Sequence, residues 1–383
     1  MYVSPTSPVG LCLDMCSERE RREREQCGRI HPFEMQKGQS NRRNYGKGSR
    51  QIADPGGTVK EYSRPAAGKE LYSPRDLRPP AILLKTVQYL LLEIWGNVDE
   101  KDSSSLSLAY SFVFDRLRAV RQDLTVQRIR GTEGAAILEG SLGFLLCAPY
   151  LVRDLSLQVY CATLHSTQVR ESFAELMECY SKGGRFPRQA EFQALLLLYD
   201  LGNMNTMHRA LQLPHSIKNA TEVRLAFAIN RSYLERNWVR LFRLVHQLDC
   251  LQACAFYRHL PDCRNQIIRT YTHAYSSRNC HFPLTKLTSL IAVDSPFQAS
   301  NKCKRQGLVV ISGECEFVVF HKASIKDVDL EGPGREIQLV EKKKENLSWA
   351  EIMMGQEKFT GRRQHFLEVF WMFNTAFRGR FAT

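Results

Sequence analysis

Two pairs of cysteines stand four residues apart, and each pair could bring two thiolates to one metal ion. The pairs are Cys12 with Cys16 and Cys250 with Cys254. Tetrahedral zinc needs four ligands, the ten histidines are scattered, and no second pair of ligands lies at a recognisable spacing. The sequence therefore predicts no metal and no cofactor. Cysteines in helical patterns are expected to pack as small hydrophobic groups.

The sequence contains no motif that would place a nucleophile or a nucleotide. Gly46-Lys47-Gly48-Ser49 resembles part of a phosphate-binding loop, but Asn41 stands where that loop needs a glycine. Gly48 also follows the lysine where Ser or Thr is required. Neither a Gly-x-Ser-x-Gly elbow nor a dinucleotide loop is present. We therefore expect a protein that is not an enzyme.

A dense run of alternating charge occupies residues 10–25 and begins with a short cysteine-containing segment. Ser17 or Asp14 can cap a helix here, and Glu18 and Glu20 would lie in its first turn, where the helix dipole favours acids. Each glutamate also has an arginine four residues later. Hydrophobic residues alternate with the others before this helix: Leu11, Leu13 and Met15. Two interpretations stay open, a solvated surface helix and a segment that is pinned onto a larger body.

Composition limits the class of protein. The 383 residues are enough for two or three domains, and 43% hydrophobic with 24% charged residues is ordinary for a globular chain. The net charge of +13 favours acidic partners, such as nucleic acid, an acidic protein subunit or an anionic surface. We see no secretory signal and no apolar run long enough for a membrane span, so free thiols in a reducing, intracellular compartment are expected.

Apolar residues recur at helical spacing over most of the chain. Residues 58–281 form one predicted body, which begins with an extended connector at 58–65 and continues as successive helices with short breaks, one of them at Ala148-Pro149. Residues 133–277 show no strand-type alternation of any length. This pattern predicts an all-α fold with a solenoid-like, helical-repeat body. The body follows residues 1–34, which hold the charged helix, and residues 35–57, a basic stretch that we expect to be a flexible insertion.

One predicted helix, over residues 105–129, carries charged side chains opposite its apolar stripe. They are Asp115, Arg116, Arg118, Arg121 and Asp123. Arg118 is spaced to pair with Asp115. A solvated polar face is one interpretation of this set. The other is a group of buried or interface guanidinium–carboxylate bonds that lock the helix to its neighbours.

Residues 282–322 change in character, because two short helices are followed by two strands around a turn. This is the order of a winged-helix module, in which the second helix is the recognition helix and the strand pair is the wing. Lys302, Lys304 and Arg305 lie on that second helix. They are candidate contacts to nucleic acid or to a protein partner, and the two roles are compatible.

The last segment, residues 323–383, is expected to be a tail that is partly disordered, with possible terminal helices. Gly332–Asn346 is expected to be poorly ordered, with Lys342–Lys344 solvated. Ser348–Met354 has the pattern of a short helix. The apolar stretch Phe366–Phe373 is either a docked terminal helix or a stripe that binds a partner.

Several motifs, in order along the chain, carry a resemblance to a known family. The opening one comprises Cys12, Asp14, Met15, Cys16, Glu18, Arg21, Arg24 and Glu25, with Ser17 where the family usually has proline. Later matches lie at 59–68, 77–91, 112–124, 199–202 and 282–308, and the 112–124 match, which includes Asp115, Arg116, Arg118, Arg121 and Asp123, is the most specific. Residues 141–144 depart from the family's usual Arg-Phe-His-type segment. Over residues 10–322 the chain resembles the SAC-three/GANP family of messenger-RNA-export scaffolds.

The resemblance implies a PCI-like helical-repeat body that ends in a winged helix, and a non-enzymatic scaffold linked to mRNA export and nuclear transport. It also implies two partners, a PCI-type protein subunit and a small acidic Sem-type protein, with a basic surface for non-specific RNA or DNA contact. The chain looks most like the short animal members, which are linked to the centrosome and spindle. We therefore expect it in the nucleus or cytoplasm, at the centrosome and on the spindle. The alternative function is an adaptor in centrosome duplication and mitotic progression without an RNA role.

Taken together, the two charged stretches indicate that residues 10–25 form an N-terminal clamp that lies across the helical body. In this hypothesis Asp14, Glu18 and Arg21 make fixed contacts. Cys12 and Cys16 pack as small apolar groups beneath them.

Overall fold

A computed structural model describes residues 7–36, 52–64, 73–277, 279–311, 313, 315–324, 326, 332 and 334–355. Most of the predicted flexible insertion lies outside the described residues, and so does the stretch Phe366–Phe373. The chain divides into two compact units. Unit 1 comprises Met1–Leu145, Leu155–Phe186 and Ser348–Thr383, and unit 2 comprises Leu146–Asp154 and Pro187–Leu347.

The structure is mostly helical, as the sequence predicts. In chain order the α-helices are α1 (Glu18–Gln26), α2 (Pro80–Gln88), α3 (Ser103–Gln127), α4 (Thr132–Leu151), α5 (Ala162–Ser181), α6 (Gln189–Tyr199), α7 (Met204–Leu211), α8 (His215–Lys218), α9 (Thr221–Leu234), α10 (Trp238–Val245), α11 (Cys250–Phe256), α12 (Leu260–Ala274), α13 (Leu284–Leu290), α14 (Pro296–Arg305), α15 (Lys342–Lys344) and α16 (Trp349–Met354). Short 3₁₀ or π-helical turns lie at Pro32–Glu34, Pro74–Asp76, Tyr89–Ile94, Trp95–Asn97, Tyr257–His259, Lys322–Ser324 and Ile337–Glu341.

Helix α3 is the central charged helix of unit 1, and its ends follow ordinary capping rules. The Asp102 side chain accepts a hydrogen bond from the Ser104 N–H at the start, and Arg128 ends the helix in a left-handed conformation with φ of 52°. The helix predicted over residues 105–129 is therefore confirmed with a shift of two residues. Val113, Val120 and Leu124 are fully buried along its inner side.

The predicted break at Ala148-Pro149 is wrong, because α4 continues through Pro149. Proline lacks the N–H that would bond the carbonyl four residues earlier, which here belongs to Leu145. His165 Nε2 donates to Leu145 O at 2.7 Å, and Tyr110 Oη donates to His165 Nδ1 at 3.0 Å. A side chain of α5 thus supplies the hydrogen bond that the proline removes.

A small antiparallel sheet in unit 2 holds three strands, β1 (His281–Pro283), β2 (Val309–Ile311) and β3 (Phe317–Val319), in the order β1-β3-β2. Val318 of β3 faces Phe282 on one side and Val310 on the other. The sequence predicted β2 and β3 but extended the following helix back over β1. Three residues are too few to show strand alternation, so only pairing with β3 identifies β1.

The expectation that Gly332–Asn346 is poorly ordered is wrong for the described residues of that stretch. Leu339 and Val340 are buried, and Ile337–Glu341 forms a π-helical turn that leads into α15. Lys343 is not simply solvated, because its Nζ donates to Val245 O at 3.1 Å and to Leu248 O at 2.6 Å. Burial lowers the pKa of Lys343 to about 8.

Helix α16 confirms the short helix predicted at Ser348–Met354, and a reciprocal Ser348–Glu351 capping box begins it. Its hydrophobic side chains are all buried within unit 1: Trp349, Ala350, Ile352, Met353 and Met354. The close approach to α4 depends on a glycine. A Cβ added at Gly143 would overlap the carbonyl of Met353.

Helix α4 has the length and mean hydropathy, 1.4, of a candidate membrane span, but 83% of that apolar window is buried inside the protein. Core helices commonly meet the same criterion of length and composition. The burial identifies α4 as a core helix.

Replacing Gly143 with alanine is expected to displace α16 and to lower the free energy of unfolding by about 1 to 3 kcal/mol, because the clash is with backbone. Gly96→Ala is the matched control, since a Cβ there would lie 3.5 Å from Leu91 O and 3.9 Å from Ala350 Cβ, ordinary contacts in the same region. Thermal melting and amide hydrogen exchange of residues 349–354 measure both variants. Equal protection of α16 in the two variants would contradict this account of the packing.

Candidate functional site

The segment before α1 is held against the rest of unit 1 by backbone hydrogen bonds. Gly10 N donates to Gln127 Oε1 at 2.8 Å, and Cys12 N donates to Leu77 O at 2.9 Å. A Cβ at Gly10 would lie only 2.7 Å from Leu77 O, so this contact requires glycine. The segment is therefore pinned to a larger body, which is one of the two interpretations that the sequence left open.

Burial in this segment does not follow the hydrophobicity of its residues, because its two leucines are exposed to solvent. Leu11 and Leu13 are 61% and 63% exposed, whereas Cys12, Met15 and Cys16 are buried. The hypothesis that the two cysteines pack as small apolar groups is confirmed. Burial raises the pKa of Cys12 and of Cys16, so both remain neutral thiols with little nucleophilic character.

A fully buried carboxylate on α3, Asp123, binds two cations from other segments. Lys60 Nζ lies 2.6 Å from Asp123 Oδ1, and Arg78 Nε lies 2.7 Å from Asp123 Oδ2. Arg78 is also fully buried, and its Nη1 donates to Met15 O at 3.3 Å. This cluster, called here the Asp123 cluster (Lys60, Arg78 and Asp123), therefore joins α3 to residue 60, residue 78 and the N-terminal segment.

A second buried carboxylate, Glu34, lies between two arginines. Arg24 of α1, with 1% of its side chain exposed, makes a close ion pair with Glu34 and donates to Val59 O at 3.0 Å. Arg116 of α3 approaches the same carboxylate at 3.3 Å, and Val59 N donates to Glu34 Oε1 at 3.0 Å. This set, called here the Glu34 cluster (Arg24, Glu34 and Arg116), anchors α1 to α3.

Electrostatics reinforce the Glu34 cluster. Burial opposes the charge of Arg24, yet the carboxylates of Glu34 and Glu61 outweigh it and raise the pKa of Arg24 above its ordinary value. Glu61 lies 3.5 Å from both Arg24 Nε and Arg116 Nη2. The buried charge of Arg24 is thus matched by carboxylates.

The other residues of the opening motif have less buried positions. Arg21 Nη1 binds Asp14 Oδ2 at 2.9 Å and Cys16 O at 3.0 Å, so these contacts lie within the N-terminal segment and not on the helical body as the clamp hypothesis expects. Glu25 Oε1 accepts a hydrogen bond from Ala53 N at 2.8 Å. The prediction for Glu18 is wrong, because Glu18 is exposed and pairs with the equally exposed Arg22 on the surface of α1.

The charged residues of α3 separate into different roles. Asp115 pairs with Arg116 and accepts from Tyr62 N at 3.2 Å, so the predicted Arg118–Asp115 pair is not found among the described contacts. The Arg118 guanidinium instead lies 3.8 Å from the centre of the Tyr62 ring. Arg121 reaches α5, where its Nη1 lies 3.0 Å from Glu175 Oε1.

The sequence did not predict several residues that belong to these clusters or contact the same segments. They are Glu34, Lys60, Glu61, Arg78 and Gln127. Lys60, Glu61 and Arg78 do lie in the family-like motifs at 59–68 and 77–91, so the resemblance was a signal for them. Glu34 had none, because a lone glutamate before a polar stretch is indistinguishable from a surface residue until its burial is known.

The basic residues predicted on a recognition helix do lie together in the last turn of α14. Lys304 and Arg305 are exposed, whereas Lys302 is half-buried. Burial and the nearby charge of Arg264 lower the pKa of Lys302. Ser295 caps the helix by accepting from Gln298 N, as predicted. The three cations therefore share one end of one helix.

Within the described residues, no group of three or more His, Cys, Asp or Glu side chains is arranged to hold a metal ion. The buried carboxylates described above are bound by arginine and lysine. Their arrangement can fix segments of chain in place, which is a structural role.

These features describe a mostly helical protein whose N-terminal motif is built into its core by buried ion pairs. Residues 15–312 match the model of the SAC3/GANP family, so the chain belongs to that family. It is a family of scaffold proteins, and membership supports a role of the SAC3/GANP type.

Similar proteins come from distant organisms. The chain is 27% identical to "Protein xmas" of Drosophila melanogaster over 91% of its own length and 16% of that protein. It is also 27% identical to "SAC3 family protein 1" of Schizosaccharomyces pombe, over 91% of this chain and 35% of the relative. "SAC3 family protein B" of Arabidopsis thaliana is 27% identical over 76% of this chain and 17% of the relative. The chain thus spans about a third or less of the length of these relatives.

Replacing Arg24 with methionine is expected to lower the free energy of unfolding by about 3 kcal/mol, because it removes one partner of a buried ion pair. Arg22→Met is the control on the same helix, where the pair with Glu18 is exposed and its loss should cost less than about 1 kcal/mol. Urea denaturation measures both. Similar losses of stability in the two variants would show that α1 is a solvated surface helix.

Stability is also expected to fall as the pH drops from about 6.5 to 4. Burial and the charges of Arg116 and Arg24 lower the pKa of His31 to about 4, so in this range the unfolded chain binds more protons than the folded one. His31→Asn keeps an acceptor for Phe33 N, which His31 Nδ1 now binds at 3.3 Å, but cannot titrate. Between pH 6.5 and 4, the free energy of unfolding of this variant should fall by roughly 1 to 3 kcal/mol less than that of the natural protein. Burial also lowers the pKa of His259 to about 4, so the stability of both proteins still depends on pH. Identical pH profiles of stability for the two proteins in urea titrations would show the prediction to be wrong.

Proposed function

We propose that this chain is a non-enzymatic scaffold of an RNA-export-type complex, built as a PCI-like helical repeat that ends in a winged helix. The observation that carries the proposal is the order of elements in a SAC3/GANP family chain: a long helical series followed by α13, α14, β2 and β3. Helices in series expose long surfaces that suit protein binding. The family is a scaffold family, which supports a role without catalysis.

The packing of residues 281–320 supports the winged-helix assignment. Helix α13 packs on α14, and α14 packs on β2. Small and apolar residues of these elements are buried: Leu284, Leu287, Ala299, Cys303 and Val318. In this arrangement α14 takes the place of the recognition helix, and the antiparallel pair β2–β3 takes that of the wing.

We infer two protein partners, a PCI-type subunit and a small, very acidic Sem-type protein. The net charge of +13 supports an acidic partner, because charge complementarity speeds association and disfavours basic competitors. The buried ion pairs in the Asp123 and Glu34 clusters give unit 1 a fixed form, and a preorganised surface loses less conformational entropy on binding.

We also infer non-specific contact with RNA or DNA through Lys302, Lys304 and Arg305. Exposed Lys304 and Arg305 can bind phosphates without reading bases, so affinity should depend on salt and little on sequence. Half-buried Lys302 would contribute mainly to the positive potential.

Co-purification is the test of the scaffold role. The tagged full chain, expressed at its natural level, should bring down one PCI-type protein and one small acidic protein in reproducible, near-equal amounts. Their reproducible absence would overturn the proposal. Imaging of the tagged chain through the cell cycle separates the alternative, a centrosome and spindle adaptor without an RNA role. That alternative requires centrosomal signal in mitosis and no RNA in the purified material.

The double variant Lys304→Glu/Arg305→Glu is expected to weaken binding of a labelled single-stranded RNA. The slope of log affinity against log salt concentration should become shallower by the amount expected for about two phosphate contacts. Arg224→Glu/Arg231→Glu on α9 is the matched control, because both arginines are exposed in the same unit and the change in charge is equal. Fluorescence anisotropy across a series of KCl concentrations measures both. An equal loss in the control would assign the binding to net charge alone.

A further inference from the structure

Four aromatic rings of unit 2 pack together where α12 ends, and we call them the Tyr275 group (Tyr271, Tyr275, Phe282 and Phe320). The ring centre of Tyr275 lies 5.3 Å from that of Tyr271, 5.6 Å from that of Phe282 and 6.5 Å from that of Phe320. Phe320 is fully buried, whereas Tyr275 is 44% exposed. The group therefore holds one accessible tyrosine against a base of packed rings.

Two hydrogen bonds place a lysine beside this tyrosine. Ser277 N donates to Phe320 O at 3.2 Å, and Lys322 N donates to Ser276 Oγ at 3.2 Å. The stretch that follows β3 therefore runs alongside the residues that follow Tyr275. Because Lys322 is exposed, a positively charged amine lies on the surface next to the accessible ring.

The same stretch leads on to the basic end of α14. Lys326 N donates to Gln306 O at 3.0 Å, and Gln306 is the residue that ends α14, two positions after Lys304. Four residues of extended chain span at most about 13 Å, so Lys322 and Lys326 are no further apart than that. Both are exposed, as is Lys304. A line of exposed lysines thus joins the Tyr275 group to α14.

These lysines lie in stretches that have no acidic residues of their own. Neither residues 269–286 nor residues 317–326 contain an aspartate or a glutamate. In the part of the chain that the structure describes, the amines of Lys304, Lys322 and Lys326 form no ion pair. An accessible aromatic ring beside such amines has the chemistry of a site for single-stranded nucleic acid, because the ring can stack on a base while the amines bind phosphates.

We propose that Tyr275 is a stacking platform for one base of a single-stranded RNA whose backbone passes over Lys322 and Lys326 toward Lys304. Every base has a π face, so stacking adds affinity with little preference for sequence. The proposal rests on the RNA contact inferred above for α14. It adds a preference for single strands, because bases within a duplex are not free to stack on a protein ring.

Fluorescence anisotropy of the full chain with two labelled probes tests the proposal. One probe is a single-stranded RNA of about 12 nucleotides, within the usual site sizes, and the other is a strand of the same length with abasic nucleotides and therefore the same number of phosphates. The natural protein should bind the RNA about tenfold more tightly than the abasic strand.

Tyr275→Ala should weaken binding of the RNA by about tenfold and change binding of the abasic strand by less than about twofold, because it removes stacking alone. Tyr275→Phe keeps the ring and should keep the affinity. His273→Ala is the matched control, since His273 is exposed on the same helix, and it should change neither affinity by more than about twofold. Tyr275→Leu keeps an apolar contact to Phe282 and should show the same loss as the alanine variant if that variant proves unstable.

Salt dependence separates stacking from charge. Stacking releases no counterions, so Tyr275→Ala should leave the slope of log affinity against log KCl concentration unchanged. Lys322→Ala should make that slope shallower by about 0.7, the value for one phosphate contact on a single strand.

The outcomes distinguish this proposal from the RNA contact on which it rests. RNA binding that is equally tight for the two probes, or equal losses of RNA affinity in Tyr275→Ala and His273→Ala, would overturn the stacking platform and leave the contact through α14 in place. The Tyr275 group would then belong to internal packing or to a protein interface. Absence of saturable RNA binding by the natural protein would overturn both. A loss in Tyr275→Ala that is confined to the strand with bases supports the platform.

Discussion

Asp123 cannot be buried alone, and much of unit 1 follows from that constraint. A carboxylate without exposed surface is stable only when cations and hydrogen-bond donors surround it. Lys60 and Arg78 fill that requirement, and Arg78 in turn binds the carbonyl of Met15. Three segments that are remote in sequence must therefore assemble around one α3 residue at the same time.

The Glu34 cluster applies the same constraint to α1, because Glu34 is a second buried carboxylate that needs cations around it. Its two arginines come from different helices, so loss of either leaves a charge in the core that is less well balanced. Because the ion pairs have fixed geometry, they specify the register of α1 on α3 more strictly than apolar contact would. The ion pairs therefore fix the geometry of unit 1 around α1.

Unit 2 uses a comparable device at the opposite end of the chain. Arg264 on α12 ties Glu336 to the carbonyls that follow α13. That contact fixes Glu336, in a stretch that looks like a polar tail, to Arg264 of α12.

Sequence patterns alone determined the helical class, the opening motif, the existence of α3 and the pair β2–β3, because periodicity and motif spacing are local properties. The same patterns placed Lys304 and Arg305 on α14 and Cys12 and Cys16 on an inward face. Tertiary structure alone decided which charges are buried. Glu18 and Glu34 look alike in sequence, yet Glu18 is solvated and Glu34 lies between two arginines. Likewise Pro149 reads as a helix break until His165, from another helix, supplies the missing donor. The burial of a charge, and the partner that makes it tolerable, depend on residues far away in the chain, and no local pattern encodes them.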